Sequence, residues 1–315
     1  MPSSLPTFSP SAGPSDDPSS MPTPNPPSGS TPSAVMEWGT ISNVGSTVLT
    51  VDLSNTYTSA VVVTSINYNN NEIPVVTRIS SVTSTSFDIQ LQGADDGTGL
   101  VAEETVSYLV VEEGQHTVDQ HKIEAQKYTS SATDEKNSWG GEEQDYLASY
   151  TNPVVVGQVM STNDPEWSVF WEKGASRQSP PSPSTLFTGI TVCEDSNTNR
   201  ASETIGFIVF EAGHGIMNGV EFEAALGADT IRGVGNSPPY DYSFTSAFAT
   251  PPVVAVVSMA GVDGANGGWA YVYGSQPTTA NTIGLAIDED SVQDAERRHT
   301  TEQVAYIVFS GNGSA

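Results

Sequence analysis

Basic side chains are scarce in this chain: 10 Lys and Arg stand against 37 Asp and Glu over 315 residues, a formal net charge of -27. That excludes nucleic acid and anionic membrane as partners, because phosphate contacts are made by Lys and Arg. It favours cations instead, such as Ca²⁺, polyamines or a basic surface. Cysteine is nearly missing too. With Cys193 alone, no disulfide framework and no cysteine-built zinc site forms within one chain, and its apolar flanks suit a buried thiol. No apolar run reaches the length of a membrane-spanning helix. The N-terminus has neither a basic nor an apolar leader segment, so a secreted protein would be represented here by a fragment or trimmed chain. No window of a dozen residues carries a helical apolar period with caps. The four histidines (His116, His121, His214 and His299) match no zinc-peptidase spacing. No Gly-x-Ser-x-Gly elbow or phosphate-cradling glycine loop is found either.

Two patterns are present. The first is a Pro/Ser-rich stretch over residues 1–35, with Pro2, Pro6, Pro10, Pro14, Pro18 and Pro22 every fourth position. A chain so poor in backbone donors and apolar side chains builds neither ladder nor core, and reads as a disordered linker. Its composition resembles the stalks and linkers of diatom and other stramenopile cell-surface proteins, which implies extracellular placement.

The second is a repeat. Glu104-Thr-Val-Ser-Tyr-Leu-Val-Val-Glu112 matches Glu203-Thr-Ile-Gly-Phe-Ile-Val-Phe-Glu211 and Glu302-Gln-Val-Ala-Tyr-Ile-Val-Phe-Ser310, with the leading glutamates 99 residues apart each time. Upstream, Tyr57 to Val63 matches Tyr150 to Val156 and Phe248 to Val254. Downstream, Ile123-Glu124-Ala125 matches Phe222-Glu223-Ala224. Alternation marks these segments as strands: Phe87, Ile89 and Leu91 against polar partners, and Val106, Tyr108 and Val110 against Thr105, Ser107 and Leu109. The expected fold is all-β, with three tandem antiparallel β-sandwich units over residues 36–120, 121–218 and 219–315.

The order Trp38-Gly39-Thr40, Tyr57-Thr-Ser-Ala-Val-Val-Val63, Arg78-Ile79, Val82 to Phe87 and Glu104 to Leu109 resembles the H-type lectin fold and its lectin-like relatives in large surface proteins. The resemblance covers residues 36–315 in three copies. It implies six-stranded antiparallel sandwiches, and for H-type lectins trimers that bind N-acetylgalactosamine. Three tandem copies then imply a pseudo-threefold assembly within one chain. The family's sugar-contacting aromatic, His and Arg set has no equivalent positions in all three units.

Three groups of residues are candidates for a site. Glu104, Glu203 and Glu302 recur in every copy and suit either sugar hydroxyls or a structural capping role. Asp95-Asp96, Glu194-Asp195 and the run Asp288 to Asp290 put several oxygens on loops, as Ca²⁺ requires, though no fixed Ca²⁺ motif is present. Trp167 and Trp171, with Trp269, Tyr271 and Tyr273, either stack on sugar rings or fill core and inter-unit space. The expected function is non-catalytic, lectin-like glycan or cell-wall binding at the cell surface. The alternative is an adhesive matrix module that binds proteins, polyamines or mineral through charge.

Overall fold

Valine-rich and alternating segments form strands because β-branched side chains pack well on a pleated surface and Gly, Asn and Ser turns punctuate them. The computed structural model of the chain describes residues 1, 34–95, 97 and 99–315. Nearly all of the Pro/Ser stretch lies outside the described residues, as does Asp96. Repeat 1 contains β1 (Met36–Val44), β2 (Leu49–Asp52), β3 (Ala60–Tyr68), β4 (Val75–Ser80), β5 (Ser86–Gly93), β6 (Glu104–Glu112) and β7 (Gly114–Val118). Repeat 2 contains β8 (His121–Ser130), β9 (Thr133–Asp134), β10 (Glu142–Gln144), β11 (Pro153–Val159), β12 (Val169–Lys173), β13 (Leu186–Thr191), β14 (Glu203–Glu211) and β15 (Gly213–Met217). Repeat 3 contains β16 (Val220–Leu226), β17 (Tyr240–Ser243), β18 (Val254–Met259), β19 (Trp269–Tyr273), β20 (Thr282–Asp288), β21 (Val304–Phe309) and β22 (Gly313–Ser314). Among the described residues the only helical element is a 3-10 turn at Val234–Asn236.

The pairings recur from copy to copy. Each repeat has an inner antiparallel trio, β1-β6-β3, β8-β14-β11 or β16-β21-β18, and an outer trio, β2-β5-β4, β10-β13-β12 or β17-β20-β19. The two trios face one another across a small core. In repeat 3 that core brings Val304, Tyr306 and Val308 of β21 against Ile283, Leu285 and Ile287 of β20.

The central strand of each inner trio is buried on both faces. In β14, Ile205, Phe207 and Val209 serve repeat 2's own core, while Ile208 and Phe210 join a larger core shared by all three repeats. In β21, Ala305, Ile307 and Phe309 join the shared core. Double burial explains why these strands read as nearly unbroken apolar runs. The described residues from 34 onward accordingly form one compact unit.

Three features close the repeats into a ring. The short strand after each glutamate strand pairs with the opening strand of the next copy: β7 with β8, β15 with β16, and β22 back with β1. Backbone bonds of 3.0 and 2.9 Å between Met36 and Ala315 complete the last seam. At the centre β3, β11 and β18 approach one another. There Ser65 accepts from the Val257 amide at 2.8 Å, Ser258 from the Gly157 amide at 3.1 Å, and Gln158 from the Thr64 amide at 3.4 Å. Register places Ser65, Gln158 and Ser258 at one position of the repeat, two residues beyond Val63, Val156 and Val256, which pair with Leu109, Ile208 and Ile307. These bonds run copy to copy around the circle.

The same register corrects one sequence match. The partners of Val62-Val63 in repeat 3 are Ala255-Val256, not Val253-Val254. Repeat 3 carries two extra residues around Pro251-Pro252 between its aromatic and its strand, and Pro cannot donate to the ladder.

Candidate functional site

Glu104 and Glu203 begin central strands and Glu302 lies two residues before β21; they are 2%, 1% and 0% exposed. Each carboxylate points back at the turn that follows the neighbouring inner strand. Glu104 accepts from the amides of Asn69, Asn70 and Asn71 at 3.1, 2.7 and 2.9 Å. Glu203 accepts from the Asn163 and Asp164 amides at 3.1 and 2.8 Å and from the Ser161 hydroxyl. Glu302 accepts from the Asp263 and Gly264 amides at 2.8 and 2.7 Å and from His299 at 2.8 Å. An ionised carboxylate satisfies several turn donors at once, which fixes the turn. These oxygens are occupied by protein, each within its own repeat, and no two of the three glutamates are hydrogen-bonded to each other.

A second set of buried glutamates does the same job on the opening strands. Glu37, Glu124 and Glu223 lie opposite Val110, Val209 and Val308. Glu37 takes the amides of Ser54 and Asn55 at 3.1 and 2.9 Å, Glu124 that of Ala148 at 2.9 Å, and Glu223 that of Thr245 at 3.0 Å. The signal for them was in the sequence, since Glu124 and Glu223 stand at matching places, but a lone Glu between apolar residues reads as the solvent side of a strand.

The aromatic candidates are packed. Trp167, Trp171, Trp269 and Tyr271 are 4%, 1%, 8% and 1% exposed. Trp167 and Trp269 meet at 5.8 Å between repeats 2 and 3, and Trp171 meets Trp139 at 5.2 Å. Tyr271 donates to the Val75 carbonyl at 2.5 Å and accepts from its amide at 2.8 Å, while Tyr68 of repeat 1 stacks on Tyr271 and Tyr273 at 4.5 and 5.8 Å. As placed, these rings fasten the seams between repeats, the inter-unit alternative of the sequence reading. Only Tyr273 is half-buried.

The acidic loops are likewise committed. Asp95 accepts from the Gly97 and Gly99 amides at 3.1 and 2.8 Å. Glu194 pairs with Lys136 at 3.1 Å, Asp195 with Arg200 at 2.8 Å and Asp288 with Arg297 at 2.6 Å. Asp290 takes the Glu194 and Val292 amides, and burial pushes its pKa up to about 6. Among the described residues no three His, Cys, Asp or Glu side chains are arranged to hold a metal ion. At the described positions these carboxylates meet Arg, Lys and amide donors, and Asp96 lies outside the described residues.

Cys193 is buried, and desolvation raises its pKa well above the usual thiol value. The expected result is negligible alkylation of the native protein and full alkylation in denaturant, read by intact mass. Rapid native labelling would contradict this burial.

One opening lies between repeats 1 and 2. A cleft of about 510 Å³ is bordered by Thr58, Ser59, Ser81, Thr83, Ser84, Ser161 and Thr204, with Lys127 and Met160. Lys127 holds the Ala60 carbonyl at 3.2 Å and lies 3.9 Å from Glu113. Hydroxyls that both donate and accept, beside one cation and one thioether, suit a polyhydroxylated ligand. In the sequence, Val82 to Phe87 counts toward the strand order of the resemblance and not toward a site, because a Ser/Thr run carries no motif of its own. A smaller cavity of about 60 Å³ sits where β3, β11 and β18 meet and is lined by Thr64, Gln158, Ser258 and Phe170.

No family model, curated protein or solved structure matches this chain.

Proposed function

We propose that the chain is a non-catalytic, lectin-like glycan-binding protein of a cell surface or cell wall, built from three units similar to the H-type lectin fold. The observation that carries this reading is the hydroxyl-lined cleft between repeats 1 and 2. The cyclic arrangement supports it, because the lectins that the repeats resemble work as trimers. Two of the four histidines are held between carboxylates: His214 lies between Glu221 and Glu223 at 3.0 and 3.1 Å, and His299 between Glu289 and Glu302 at 3.2 and 2.8 Å.

The test is a glycan array with the whole chain, with and without Ca²⁺, alongside Ser84→Trp, which fills the cleft from an exposed position. The expected result is binding to at least one glycan class, unchanged by chelation and lowered at least about tenfold by the substitution, roughly 1.4 kcal/mol. An array with no binder would overturn the reading. The net charge of -27 favours a second reading, an adhesive matrix module that binds basic partners. Such binding would weaken steeply with salt, whereas glycan binding would not.

A further inference from the structure

Glu172, in β12, is 0% exposed, and neither of its carboxylate oxygens has a hydrogen-bond partner. The three copies provide an internal control. Glu172 lies opposite Thr188, where repeat 1 pairs Ile79 with Ile89 and repeat 3 pairs Val272 with Leu285. Repeat 2 alone has a carboxyl group at this position of its sandwich.

The surroundings of Glu172 include further polar groups. Thr188 bonds the Tyr128 hydroxyl at 2.9 Å, the buried hydroxyl of Tyr146 has no partner, and that of Tyr150 lies beside the Glu124 carboxylate. The apolar core of repeat 2 is split accordingly, with Val155, Leu186, Phe207 and Val209 on one side and Val159, Ile190 and Ile205 on the other. In repeat 3 the corresponding core is one cluster.

The titratable groups in this interior are Tyr128 from β8, Tyr146 and Tyr150 from the segment before β11, and the carboxylates Glu124 of β8 and Glu142 of β10, whose charges act on those tyrosines. From β13 comes Thr188, from β9 Asp134 and from the end of β14 Glu211, whose charges act on Tyr128 and Tyr150, and from β11 only apolar side chains. No Lys or Arg is among them. Lys173 follows in sequence, but its amine bonds the Trp139 carbonyl at 2.7 Å.

We propose that Glu172 makes repeat 2 a proton-controlled element: the repeat is closed while this carboxyl is protonated, and ionisation loosens the β12–β13 sheet while repeats 1 and 3 stay closed. A buried carboxylate with no counter-charge is far less stable than its neutral form. Desolvation is the sole influence on Glu172, and it acts upward from 4.5. The closed form is therefore fully favoured below about pH 4.5. The advantage is lost as pH rises toward the folded-state pKa, at about tenfold in the opening equilibrium per pH unit.

The experiment is hydrogen exchange by mass spectrometry on the whole chain across pH, corrected for intrinsic exchange. It compares peptides covering 169–173 and 186–191 with their counterparts 75–80, 86–93, 269–273 and 282–288. The expected result is protection of 169–173 and 186–191 that falls with pH, about tenfold per unit, and that flattens in Glu172→Gln, while the pH response of repeats 1 and 3, including that of His299 in repeat 3, is the same in wild type and variant. If that variant fails to fold, Glu172→Val, which installs the residue of repeat 3, makes the same comparison. Equal pH response in all three repeats overturns the proposal, as does a repeat 2 response that persists in the folded variant.

Discussion

Replacing Glu302 with Ala is expected to destabilise the protein by about 3–5 kcal/mol, the range for breaking a buried charged pair. The carboxylate is wholly buried and is shared by two turn amides and by His299, whose side chain is 1% exposed. Truncation leaves both amides without an acceptor and leaves the imidazole with Glu289 alone at 3.2 Å. The pH dependence identifies the cause. Burial works to lower the His299 pKa, but its bonds to Glu289 and Glu302, together with their charges, prevail and raise it from 6.5 to about 9. A raised imidazole pKa means that the folded state holds the proton more tightly than the unfolded chain. The stabilisation is therefore fully present below pH 6.5 and is lost as pH rises through about 9. Its size is up to about 3 kcal/mol. Urea unfolding of wild type between pH 6.5 and 9 should show this decline, and His299→Gln should flatten it. Glu172 contributes a slope of the same sign, so the two single variants separate the effects. A Glu302→Ala midpoint equal to that of wild type would refute the clamp.

Trp38→Ala is expected to have a comparable effect, about 3–5 kcal/mol. Trp38 is 1% exposed, stacks on Phe309 of repeat 3 at 4.2 Å and donates to the Gly311 carbonyl at 2.8 Å. It pairs with Leu109 on one side and Gly313 on the other. The substitution therefore removes the aromatic plug from the seam where the last copy meets the first. Urea titration followed by tyrosine and tryptophan fluorescence measures the loss. A change under about 0.5 kcal/mol, typical of a surface position, would mean that the ring is open at this seam.

Much of the fold was legible because period-two alternation and a 99-residue recurrence are local signals. The strands around Phe87, Glu104, Glu203 and Glu302 could be read one by one. What could not be read was the direction of burial. Ile208 and Phe210 face the other repeats while Ile205 and Phe207 face their own, and an unbroken apolar run looks the same in either case. For the same reason Trp269 and Tyr271 were equally compatible with a ligand platform and a seam. In the acidic loops, sequence shows the carboxylates but not the Arg200, Arg297 and amide donors that meet them. The cleft was invisible for a simpler reason: Ser84 and Ser161 come from different copies and meet only when the ring forms.

The return of β22 to β1 has a consequence for how the copies can differ. Three identical subunits held together by association would come apart on dilution, and any substitution would appear three times, once per subunit. Joined in one polypeptide, the copies meet at a fixed effective concentration. Each can then depart from the others singly. A carboxyl group at the heart of a small sandwich, tripled, would threaten a net stability of only about 5–15 kcal/mol. Present once, as Glu172, it is carried by two neighbours that keep Ile79 and Val272 at that place. Covalent linkage turns a symmetric object into one with a distinguishable member, and that member is repeat 2.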